Sequence, residues 1–309
     1  MRRVMDKRLV VMLGATITIM LAGPVFGWHI ANDCEGETLG GRPADREGVF
    51  WGAETTLSNE QVSTGAQSCK FEIAAGSEGW PSEGGPLEWG AIFSFLEDVN
   101  VGQEVWLRFD LFIPAGFDIW TNTGMLKFIR LGTRIDTRST GAMDILMGVP
   151  SASLWSADLE RDVKPPFVAS FEGAPKLKMV GSRPRNDVKT GVWETYEVYA
   201  KIGVSGEADG GQSIVRVWKN NTLIANLANQ ITAVDETGRM TGLYLFTYWN
   251  GRARSDQHAY MDNLFITNEK PANMDENGNA FIGGETYVKE SQNSQISVIT
   301  APKITQVVK

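Results

Sequence analysis

The chain has 309 residues, 42% hydrophobic and 21% charged, with 33 Gly and 10 Trp but only 2 His and 2 Cys. This composition is too apolar and too weakly charged for a disordered protein. It is also too poor in Cys and His for a disulfide-dense scaffold, a four-cysteine zinc site or a His-rich metal centre. A formal charge of -8 argues against nucleic acid as a partner, since that needs a basic footprint.

Arg2, Arg3, Lys7 and Arg8 precede an apolar run from Leu9 to about Leu21, followed by Ala22, Gly23, Pro24 and Gly27. Basic start, apolar centre, helix breaker and small residue form the pattern of a secretory signal peptide over 1–27. The run is shorter than the ~20 residues a spanning helix needs, and Pro24 interrupts its end. Export with cleavage is therefore expected, to an extracellular or periplasmic location, with no stable membrane insertion afterwards. Without the leader, 25 Lys and Arg face 36 Asp and Glu, a net of -11. Cys34 and Cys69 are the only cysteines, and in an oxidising compartment they are expected to form a disulfide.

Short alternating runs dominate the rest. Val105–Ile113 sets Val105, Leu107, Phe109, Leu111 and Ile113 on one face, and Trp106, Arg108, Asp110 and Phe112 on the other, the period of a strand. Met125–Leu131 is apolar on both faces, so it reads as a central strand. Trp193–Ile202 is aromatic and β-branched, and Ile214–Lys219 and Thr222–Leu227 flank Asn220-Asn221, a hairpin signal. Leu243–Trp249 and His258–Thr267 complete the set. Many strands and almost no helix predict an all-β jelly-roll sandwich of two antiparallel sheets. One monomeric domain is expected over 28–270. A turn-rich, partly disordered extension is expected over 271–309.

Several segments together carry a resemblance. They are Asp33-Cys34-Glu35-Gly36, Ser58–Val62 running into Gly65–Ser68, Val105–Asp118, Leu126–Arg130, Trp193–Ile202, Val215–Ile224, Leu245–Gly251 and Ala259–Thr267. In this order they resemble the concanavalin-A-like jelly-roll polysaccharide lyases, the relatives of alginate, glucuronan and heparin lyases. The resemblance covers most of 33–283 and implies a sugar chain lying across one concave sheet. It also implies a secreted enzyme acting by β-elimination on an acidic, uronate-containing polysaccharide. A non-catalytic, lectin-like glycan-binding sandwich and a structural surface protein remain as alternatives.

β-Elimination needs a group to neutralise the uronate carboxylate, a base for the C5 proton and an acid for the leaving oxygen. Arg, Asn, Gln or Lys suit the first task; Tyr, His or Lys suit the others. Lys127 lies in an apolar strand, where an unpaired buried ammonium is costly. The alginate-lyase branch uses a lysine in a Gly-Lys-Leu run, which Gly124–Lys127 matches to within a residue or two. Arg130, three residues on, points to the opposite face of a regular strand unless a bulge intervenes. Tyr248, His258 and Tyr260 are further candidates for proton transfer. Trp106, Arg108, Trp249, Asn250 and Arg252 are candidates for binding sugar. The branch's Tyr-x-Tyr pair is missing; Tyr244 and Tyr248 share a face at period two, whereas Tyr196 and Tyr199 do not. No cofactor is required, but sandwich glycan-binding modules often place a structural calcium where Glu35 and Asp262 could meet, and such a calcium is an expectation here. Hydrolase chemistry finds no same-face pair of carboxylates, since Glu194 and Glu197 face opposite ways.

Overall fold

The computed structural model describes residues 27–46, 48–80, 85–118, 126–147, 167–173, 178–180, 189–229, 231–249 and 252–284. At 128, 141, 143–147, 167–173, 178–180 and 247–249 only the backbone is described. The expected leader up to residue 26, Asn250 and the tail from 285 lie outside the described residues.

In chain order the strands are β1 (His29–Asn32), β2 (Val49–Trp51), β3 (Thr55–Ser58), β4 (Ser68–Ile73) and β5 (Ala91–Asn100). Then come β6 (Glu104–Phe112), β7 (Leu126–Ile135), β8 (Arg138–Met147), β9 (Phe167–Gly173) and β10 (Lys178–Val180). The last are β11 (Trp193–Lys201), β12 (Ile214–Lys219), β13 (Thr222–Leu227), β14 (Arg239–Trp249) and β15 (Gln257–Thr267). A single 3-10 turn, Glu207–Asp209, is the one helical element among the described residues.

Two antiparallel sheets result. One has eight strands in the order β13-β12-β11-β6-β15-β4-β3, with β1 also paired to β15. The other has seven, β10-β9-β8-β7-β14-β5-β2. This is the expected all-β sandwich. The alternation of β6 decides its facing: Val105, Leu107, Phe109, Leu111 and Ile113 all enter the main core. Phe71, Val198 and Met261 join them from the eight-stranded sheet, and Phe93, Leu131 and Leu245 from the other. Asn220 and Asn221 take φ of 49° and 64°, the left-handed pair that a tight hairpin between β12 and β13 demands.

β15 carries two partners along one edge, β4 against Gln257–Met261 and β1 against Leu264–Thr267. The Cys34–Cys69 disulfide, with Cα atoms 5.6 Å apart, ties the chain leaving β1 to β4. After β15 the chain folds back over the outer face of the eight-stranded sheet. Phe281 and Ile282 build a second apolar cluster there with Trp106, Tyr199, Ile214 and Trp218. Asp275 accepts the Trp218 indole N–H at 2.9 Å, and the amides of Asn277 and Asn279 at the same distance. Glu197, on β11, accepts the amides of Ile282 and Gly283. Within the stretch expected as a turn-rich extension, the chain packs onto the domain as far as Gly284 as a C-terminal strap.

Candidate functional site

The outer face of the seven-stranded sheet gathers Lys127, Arg130, Tyr244 and the position of Tyr248. Leu126 and Ile129, three residues apart on β7, both lie in the core. A regular strand would put them on opposite faces. The ladder slips between Lys127 and Ile129 on its β8 side, and between Leu245 and Tyr248 on its β14 side. The bulge that would unite Lys127 and Arg130 is therefore present, and both turn away from the core. Lys127 stands opposite Tyr248, and Arg130 opposite Tyr244. Lys127 is only 6% exposed.

Two glycines shape this face. A Cβ on Gly132 would come 2.6 Å from Tyr244 Cε2, so the missing side chain makes room for the phenol ring. Gly90, at φ 79°, lies so close to β14 that a Cβ would meet the carbonyl oxygens of Leu245 and Phe246 at 2.4 Å. Phe246 has φ 54° at the β14 irregularity and turns into the core.

Beside β14, the Trp80 ring lies 5.9 Å from that of Tyr244. The segment bearing Trp80 is firmly held. Glu88 Oε2 accepts the amides of Glu78 and Gly79 at 3.1 and 2.9 Å. The Glu88 amide donates to Gly79 O, and the Gly76 amide to Ala253 O. Arg252 pairs with Glu78 at 3.1 Å.

Trp249 stands opposite Leu126 on β14, whereas the eight-stranded sheet, on the opposite side of the sandwich, holds His258, Tyr260, Trp106 and Arg108. His258 and Tyr260 share the outer face of β15, between the core residues Ala259 and Met261. They cannot converge with Lys127 on one sugar ring. Tyr260 donates to Glu60 Oε2 at 2.6 Å, and burial followed by that hydrogen bond pushes its phenol well above the ordinary range. His258 lines a cavity of about 670 Å³ with Glu54, Glu72, Glu88 and Asp256, surroundings that repel a polyanion. Trp106 is 2% exposed beneath the strap, with its indole N–H on Ala280 O. Arg108 donates to Asn221 and lies 3.9 Å from Glu197. These two residues, expected on a sugar-binding face, are structural supports of the strap. Alternation reveals which face turns outward but not what covers it.

Glu35 and Asp262 serve one loop. Glu35 Oε1 accepts the amides of Ala66 and Gln67 at 2.6 and 2.9 Å. Asp262 Oδ2 accepts those of Ser63 and Thr64, each at 3.1 Å. Burial pushes Asp262 up to about 7 against these amides, and neighbouring Asp110 pushes the same way. Among the described residues no three His, Cys, Asp or Glu side chains cluster to hold a metal ion.

No family model and no curated protein matches the sequence. Solved structures do match. The alginate lyase Aly36B superposes with a TM-score of 0.50 at 14% identity, over 77% of this chain and 96% of that one. A variant of Aly36B lacking one lysine and one tyrosine, bound to an alginate tetrasaccharide, gives 0.52 over the same shares at 14% identity. The endo-β-1,4-glucuronan lyase of the fungus Trichoderma reesei gives 0.51 at 12% identity, over 77% and 94%. The fold is that of the jelly-roll polysaccharide lyases. Within this lyase fold, Trp80, Tyr244 and Phe50 are outer-face residues that sequence reasoning did not single out as site residues. Tyr244 was legible from its place between Leu243 and Leu245. Trp80 sits in a loop, and no periodicity marks it.

Proposed function

We propose that the protein is a secreted polysaccharide lyase that cleaves an acidic, uronate-containing chain by β-elimination on the outer face of the seven-stranded sheet. The observation that carries this reading is the opposed register of Lys127 and Tyr248, with Arg130 on the same face. Arg130 neutralises the uronate carboxylate, which acidifies the C5 proton. Lys127 and Tyr248 transfer protons: one takes the C5 proton, the C4–oxygen bond breaks as a C4–C5 double bond forms, and the leaving oxygen is protonated. The neighbour crystallised with a bound alginate tetrasaccharide lacks one lysine and one tyrosine, which supports a lysine–tyrosine pair here. The disulfide is consistent with export. The protein acts as a monomer, and no step requires a cofactor.

Incubation with alginate, glucuronan, heparin-type and pectic chains, followed by absorbance of the unsaturated uronate, tests the proposal. Product from at least one chain is expected. Exposed Trp80 and Phe50 also suit a module that only binds glycans. Binding to a chain without any unsaturated product would favour that second reading.

A further inference from the structure

Asn220-Asn221-Thr222 is the one Asn-x-Ser/Thr triplet in the chain. Such a triplet is an acceptor for asparagine-linked glycosylation when it lies on the surface of an exported protein. The fold sets it at the tip of the β12–β13 hairpin, where Asn220, Asn221 and Thr222 are all exposed. The turn is held from both sides. The Asn220 amide donates to Thr195 O at 2.9 Å, and Asn220 Oδ1 accepts the Thr195 amide at 2.8 Å. Asn221 Oδ1 accepts Arg108 Nη1 at 3.1 Å. The Asn220 carboxamide is thus fixed through its oxygen, and its Nδ2 makes no hydrogen bond to the described residues. β13 is also the last strand of its sheet, so no further strand among the described residues flanks the hairpin on that side. Lys127 and Arg130 belong to the other sheet, away from this turn.

We infer that Asn220 is a modification site that carries an oligosaccharide on Nδ2. The donor class is a lipid-linked oligosaccharide diphosphate. In the transfer the C1–oxygen bond of the terminal sugar breaks and its electron pair leaves with the diphosphate. A C1–Nδ2 bond forms, and Nδ2 releases one proton. The Thr222 hydroxyl, two residues on, completes the acceptor. The product is a secondary amide whose oxygen still accepts the Thr195 amide, so attachment removes no hydrogen bond from the turn. The inference rests on the export part of the proposed function and is independent of the β-elimination chemistry.

Intact mass and peptide mapping of the full chain, recovered from the cells that naturally produce it and from their surroundings, test this. The exported chain is expected to lose one oligosaccharide on treatment with an amidase that cleaves the glycan–asparagine bond, leaving Asp at position 220. Asn220→Gln should abolish the addition, but it also disturbs the bonds to Thr195. Thr222→Val leaves those bonds intact and should abolish the addition equally, whereas Thr222→Ser should retain it. A thermal melt checks that each variant folds. A glycan that persists in Thr222→Val, or one mapped to another residue, would overturn the inference. A bare chain outside the cell overturns it and leaves export standing. A bare chain retained inside the cell overturns it and removes export as well.

Discussion

Lys127 and Tyr248 occupy directly opposed positions in the β7–β14 ladder. Opposed residues in an antiparallel pair have Cβ atoms about 5 Å apart, and the proposed pair rests on that register. Arg130 joins them through the slip in β7.

Each member of this pair is expected to matter to the rate. On a chain that the protein cleaves, Lys127→Ala and Tyr248→Phe should each lower kcat by about 10²–10⁴. The variants should still melt cooperatively. Initial rates followed through the unsaturated product check this, and an unchanged rate removes that residue from the mechanism.

The opposite sheet should be silent in catalysis. Trp106→Ala should destabilise the fold by about 3–5 kcal/mol, because it empties the cluster under the strap. Substrate KM should be unaltered. His258→Ala should leave kcat unaltered. Denaturant melts and native-condition kinetics separate the two effects; a KM raised tenfold by Trp106→Ala would return that face to the site.

Reduction of Cys34–Cys69, or Cys34→Ser with Cys69→Ser, should cost about 3–4 kcal/mol, given the 35-residue separation it closes. Melting with and without reductant measures the loss. An unchanged midpoint would mean that the β1–β15–β4 edge holds without the bridge.

Burial pushes Glu197 from 4.5 up to about 7, against the pull of the Ile282 and Gly283 amides and of Arg108. The folded state therefore keeps a proton that the unfolded chain gives up earlier. The resulting stability is full below about 4.5 and is lost as pH rises to about 7. Asp262, raised to about 7 by burial, adds to the same fall. Asp275 is held low through its bonds to Asn279 and Trp218 and slopes the other way. The difference between the unsubstituted chain and Glu197→Gln isolates the first effect. That difference should change by on the order of 1–3 kcal/mol between pH 4 and 7. Parallel curves would show that Glu197 titrates in the folded chain as it does in the unfolded one.

The strands with clear alternation were legible: β6, β11, β12, β13, β14 and β15 all fall where the sequence pattern predicts them, and the Asn220-Asn221 hairpin with them. Lys127 and Tyr248 were legible as chemistry, and the condition for Arg130 to join them was legible as a bulge. What covers each candidate was not: Trp106 is an indole within β6 and Trp80 one in a loop. One lies under residues some 170 positions later in the chain. The other is pinned in the open by Glu88. Coverage is a long-range property, and local period carries no trace of it.

The slip in β7 also bears on transplantation. Copied onto a flat strand of another sandwich, the Lys-Phe-Ile-Arg spacing would send one of its two cations into the host's interior, where an unpaired charge is not tolerated. Moving this site to a new scaffold therefore requires transferring a backbone irregularity. The unit to graft is the Leu126–Leu131 segment with its surplus residue and the matching stretch of β14, rather than a set of side chains.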